Sequence, residues 1–71
     1  MSPHEIKAKL AIKGFTLKKI ADEFDVSAVA VHYVVFNRRR SRRIERRIIA
    51  VTGLSGHKLW PENYPRKIKA V

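Results

Sequence analysis

Seven arginines fall within ten positions of this chain, Arg38, Arg39, Arg40, Arg42, Arg43, Arg46 and Arg47, and only Glu45 opposes them in that stretch. A guanidinium keeps its charge at any ordinary pH and donates through a planar fork that fits two phosphate oxygens at once. So dense a run is suited to gripping a polyanion. Directly before it, the ten residues from Ser27 to Phe36 (SAVAVHYVVF) contain no fully charged residue. Ser27, Ala28, Val29, His32 and Tyr33 offer methyl groups, hydroxyls and an imidazole. These groups suit base edges in a DNA major groove, where methyls meet thymine C5-methyls and polar atoms bond N7, O6 or O4.

Other chemistry has little to work with. His4, His32 and His57 are scattered, no carboxylates pair near them, and there is neither a glycine-rich phosphate loop nor a nucleophile with a base at motif spacing, so no catalytic residue is expected. No helix offers two histidines or cysteines at metal-ligand spacing, and the chain has no cysteine, so metal, cofactor and small-molecule ligands are not expected either. Seventy-one residues suffice for one small domain, and the net charge of +10 is extreme for that length. Such a charge favours a nucleic-acid partner. The apolar runs are too short to span a bilayer, and the N-terminal MSPHEIKAK has no secretory h-region, so the expected location is the cytoplasm of a bacterial host cell, in association with DNA.

To present these side chains the sequence must build helices, and its punctuation is clear. Ser2 caps a first helix with Pro3 in its first turn and Glu5 completing a capping box, Ile6 and Leu10 turn inward, and Gly14 stops it. Thr16 caps a second helix, in which Leu17, Ile20, Ala21 and Phe24 recur at i, i+3, i+4 and i+7 as one apolar stripe. Asp25 breaks the pattern and tolerates a left-handed turn, and Ser27 caps a third helix with Val26 set to pack on Val31. Two helices meeting across about three residues have the spacing of a helix-turn-helix.

On the third helix Ala30, Val31, Val34 and Val35 fall on one half, and Ala28, Val29, His32, Tyr33 and Phe36 on the other. The core of so small a domain takes one half. The other either reads a major groove or is buried as well, for instance in a dimer interface. Asn37 to Arg40 is the following loop. Ser41 caps a fourth helix with Ile44, Ile48 and Val51 inward, and Gly53 ends it in a Schellman motif with Leu54. Arg42 and Arg43 in the first turn of that helix oppose its macrodipole, a conflict that a docked phosphate removes. The candidate phosphate-binding set is Thr16, Lys18, Asn37, Arg38, Arg39, Arg40, Arg42 and Arg43. Toward the C-terminus, Pro61 and Pro65 limit helix to one short turn, with Trp60 and Tyr64 as a lid on the core. Residues 1–65 thus form the DNA-binding domain, and 66–71 a flexible basic tail.

The segments LKKIADEFDVSAVAVHYVV, RIERRIIAV and LWPENY together resemble the Ner-like regulators of Mu-type transposable phages, small relatives of the lambda-repressor-like domains. The resemblance covers roughly Pro3 to Tyr64. It implies an all-α fold of four to five helices and repression of phage promoters through operator DNA. An architectural or excision-type protein, holding DNA chiefly through phosphates, is the alternative that the arginine run leaves open. Dimers and tandem monomers on repeated half-sites both fit one short reading helix.

Overall fold

The computed structural model describes residues 1–65 and contains five helices, α1 Pro3–Ile12, α2 Leu17–Phe24, α3 Ala28–Val35, α4 Arg42–Thr52 and α5 Gly56–Leu59. Among the described residues there is no strand, as the capped helical periodicities require. The candidate tail, residues 66–71, lies outside the described residues.

Helix starts follow the sequence closely. Ser2 Oγ accepts from the Glu5 amide at 3.2 Å while Glu5 Oε1 accepts from the Ser2 amide at 2.8 Å, the two halves of a capping box. Thr16, Ser27 and Ser55 each accept from the amide three residues on, at 3.0, 3.2 and 3.1 Å. Each bond satisfies an amide that the first helical turn leaves unpaired.

Helix ends are governed by left-handed residues. Asp25 has φ 56° and Asn37 has φ 60°. Asp25 donates to the Asp22 carbonyl and Val26 to the Ala21 carbonyl; Asn37 donates to Val34 and Arg38 to Tyr33. Both pairs are the 5→2 and 6→1 bonds of a Schellman motif, and Gly14 with Phe15 makes the same pair on Ala11 and Leu10. Asp25 thus makes the motif turn in the conformation expected of it. Gly53, where such a motif is expected, is simpler: its amide bonds the Ile49 carbonyl at 2.9 Å, and the Leu54 amide is taken instead by Thr52 Oγ1 at 3.3 Å.

One core results. Ile6, Leu10, Ile20, Ala21, Val31, Val34, Val35, Ile44, Ile48, Leu59 and Trp60 are buried together, and Val51, expected fully inside, is half-buried at its edge. Trp60 is only 3% exposed, and its indole N–H donates to the Val35 carbonyl at 3.3 Å, satisfying one of the carbonyls left open at the end of α3. On α1, Ala8 and Ala11 stay exposed, and Ile12 is 73% exposed, with no element over it among the described residues.

Candidate nucleic-acid interface

Because α3 buries Val31, Val34 and Val35, its opposite side is turned out. Val29 is 56% exposed and Tyr33 40%, one helical turn apart on the same strip. Ser27 and Ala28 are exposed at the start of that strip. Ser27 Oγ is occupied as a cap acceptor, which leaves its hydroxyl proton free to donate outward. His32 differs from its neighbours. Its ring stacks on Phe36 at 4.2 Å between centroids and meets Tyr33 at 6.0 Å, and Phe36 in turn meets His4 edge-on at 5.9 Å. His32 is therefore half-buried and presents an edge rather than a free ring. Among the described residues nothing covers Val29 or Tyr33.

The arginine run separates into two kinds of residue. Arg40 donates from Nε to Glu45 Oε2 at 3.0 Å and from Nη2 to Oε1 at 3.3 Å, and lies over the Tyr64 ring at 5.8 Å. Arg47 makes a bidentate pair with Glu23 at 2.8 and 3.1 Å, tying α4 to α2, and lies over the Phe15 ring. Arg38, Arg39, Arg42, Arg43 and Arg46 are exposed and pair with no carboxylate among the described residues. Arg38 and Arg39 are anchored by backbone, both amides donating to the Tyr33 carbonyl at 2.8 and 3.3 Å. The guanidinium of Arg43 lies over the Phe24 ring at 5.6 Å, a cation–π contact on an otherwise exposed side chain.

Of the other members of the candidate phosphate set, Asn37 opens the loop that carries the arginines, whereas Thr16 and Lys18 lie at the start of α2, about twenty residues earlier in the chain. Asn37 is exposed, and its Oδ1 accepts from Asn63 Nδ2 at 2.6 Å. Thr16 and Lys18 are exposed at the start of α2, with Lys18 at 3.5 Å from Asp22 in a surface pair of small energetic weight. The start of α3 and the loop from Asn37 to Ser41 flank the exposed strip of α3 from its two ends.

Four features of this surface escape sequence reading. Ser41 occupies the cap position of α4 but its side chain makes no capping bond. Glu45 supplies the interaction in the reverse direction, its Oε2 accepting the Ser41 amide at 3.1 Å. The other three are the Tyr64 hydroxyl, which donates to Glu45 Oε1 at 2.6 Å, the Asn63–Asn37 bond and the Glu23–Arg47 pair. The signal for the first was present: a glutamate four residues after a cap serine is a capping box displaced by one position. The carboxylate in the first turn of α4 also relieves part of the macrodipole conflict that Arg42 and Arg43 create.

These bonds set a pH window. Burial opposes ionisation of Glu45, but hydrogen bonds from Arg40, Tyr64 and Ser41 outweigh it and hold its carboxyl below the ordinary 4.5. The Arg47 hydrogen bond does the same for Glu23. Both therefore contribute stability that is present above about pH 4.5 and is lost as pH falls through their lower folded values. Tyr64 is pushed above its ordinary 10.0, first by burial and then by its bond to Glu45, so its contribution is complete below about pH 10 and is lost as pH rises through the folded value. Urea melts between about pH 3 and pH 11 are expected to show a plateau bounded by these limits. Tyr64→Phe should remove that residue's share of the alkaline fall, and an unchanged alkaline limb would contradict the assignment.

A family model described as winged helix-turn-helix DNA-binding matches residues 1–71. Neither a curated protein nor a solved structure matches the chain.

Proposed function

We propose that this chain, which belongs to the winged helix-turn-helix DNA-binding family, is a sequence-specific transcriptional regulator that reads bases with α3 and grips phosphates with the arginine loop behind it. One observation carries the reading: the uncharged strip of Ser27, Ala28, Val29 and Tyr33, exposed and joined by an edge of the half-buried His32, lies along the second helix of the motif, next to arginines that no carboxylate among the described residues neutralises. Uncharged contacts discriminate bases, while cations bind any sequence. Arg38, Arg39, Arg42 and Arg43, with Thr16, Lys18, Asn37 and the remaining donors of Arg40, form the phosphate set. The domain runs over residues 1–65 and acts on double-stranded DNA in the bacterial cytoplasm, as a homodimer or as monomers on repeated half-sites. The resemblance to Ner-like regulators of Mu-type phages points further, to a phage or prophage repressor at operator DNA.

Catalysis, a cofactor and a small-molecule ligand are not part of this reading.

The five exposed arginines without a carboxylate partner among the described residues also favour a second reading, an architectural or excision-type protein held mainly by phosphates. Affinity against salt tests the shared element. If about five phosphates are neutralised, log affinity should fall against log salt with a slope near −4.5. Arg39→Ala with Arg43→Ala should flatten it by about two units and weaken every duplex alike. A loss confined to one sequence would mean that these arginines read bases.

A further inference from the structure

Glu45 is the one acidic residue inside the arginine run, and it is 1% exposed. By charge alone it is misplaced, since a carboxylate beside a phosphate grip repels what the arginines attract. Its bonding explains its presence. The two carboxylate oxygens accept from Arg40 Nε at 3.0 Å, Arg40 Nη2 at 3.3 Å, the Ser41 amide at 3.1 Å and the Tyr64 hydroxyl at 2.6 Å. So the carboxylate is covered, its charge offset by Arg40, and its acceptor sites filled.

The same bonds fasten the loop between α3 and α4. At the near end, Asn37 in its left-handed conformation is held by Asn63 at 2.6 Å, and at the far end Arg40 and Ser41 are held by Glu45, which Tyr64 caps. Asn63 and Tyr64 belong to the strap after α5, which is itself pinned by the buried Trp60. The seat of Tyr64 leaves no room at Gly56, where a Cβ would come within 2.7 Å of the ring. Arg38 and Arg39 lie between the two fastenings, and Arg42 and Arg43 follow directly from the second.

We infer that Glu45, with Tyr64 and Asn63 of the strap, is a positioning residue for the phosphate grip: it touches no DNA, and it aims Arg38, Arg39, Arg42 and Arg43 by fixing the loop that carries them. The inference rests on the proposed reading that those arginines bind phosphates. It predicts a result opposite in sign to simple electrostatics. Glu45→Gln raises the net positive charge by one, so charge alone gives tighter binding to non-specific duplex and an equal or steeper salt slope. Positioning gives weaker binding, by about tenfold, and a slope flattened by about one unit for each phosphate contact that the freed loop no longer makes.

The experiment measures affinity of the full chain for one scrambled duplex at several salt concentrations, with melting temperature recorded for each variant. The variants are Glu45→Gln, Tyr64→Phe, Asn63→Ala and the Arg39→Ala, Arg43→Ala pair. Tyr64→Phe keeps ring and charge while removing the hydroxyl, and should weaken binding in the same direction by a smaller factor. If Glu45→Gln does not fold, Tyr64→Phe and Asn63→Ala decide alone. Folded Glu45→Gln that binds as tightly as the parent or tighter, or Tyr64→Phe and Asn63→Ala that leave affinity and slope intact, would overturn the inference. The arginine pair separates the two levels. A slope unmoved by it means that the phosphate reading has failed, and a slope flattened by it but not by Glu45→Gln means that only the positioning role has.

Discussion

Trp60→Ala is expected to destabilise the domain by about 3 kcal/mol or more, since truncating a buried tryptophan removes its transfer energy and leaves a cavity. Two structural facts support so large an effect. The side chain is 3% exposed within the single core, and its indole N–H is bonded to the Val35 carbonyl at the end of α3. For a domain of this size the change corresponds to a fall in melting temperature of about 12 to 24 °C. Trp60→Phe keeps most of the volume and loses the bond, so it should cost less. A melting temperature unchanged in Trp60→Ala would place the indole outside the core and contradict the fold as described.

The second large effect is on binding alone. Val29 and Tyr33 are exposed, so Val29→Ala and Tyr33→Ala should move stability by no more than about 0.5 kcal/mol. If each side chain contacts a base, its loss should cost about 1–3 kcal/mol on the specific site, and affinity for scrambled DNA should hardly change. His32 is a poorer probe, because its ring is stacked on Phe36 and its removal disturbs packing together with any base contact. The paired measurement is melting temperature beside affinity for specific and scrambled duplexes. Loss of fold, or equal loss on both duplexes, would make the residue structural.

Much of the fold was legible because it is encoded locally. Cap residues at Ser2, Thr16 and Ser27, the apolar stripe through Ile20 and Phe24, and the glycine after α1 each act within a few residues of themselves. Even the turn at Asp25 followed from the tolerance of aspartate for the left-handed region. Pairings between distant positions were not legible. Nothing near Glu23 in sequence announces Arg47, twenty-four residues away, and nothing near Asn37 announces Asn63. Charge density in sequence also overstated what is free, since Arg40 and Arg47 are engaged by carboxylates and the exposed remainder is Arg38, Arg39, Arg42, Arg43 and Arg46. Tyr64 was legible as packing, whereas its hydroxyl bond to Glu45 depended on where α5 carries the strap. The wing in the family description has no strand among the described residues to form it, and the loop from Asn37 to Ser41 is the basic element nearest the motif.

In the proposed function, α3 chooses sequence while the arginine loop supplies affinity without choice. A footprint of the protein on DNA flanking its own gene, repeated across several salt concentrations, tests it most directly. The expected result is a bounded protected segment that persists at salt concentrations where diffuse protection of the surrounding DNA has disappeared, because base contacts release no counterions and phosphate contacts do. Protection that is even along the fragment and fades everywhere at the same salt concentration would contradict it, and would assign the protein to phosphate-held, sequence-indifferent binding.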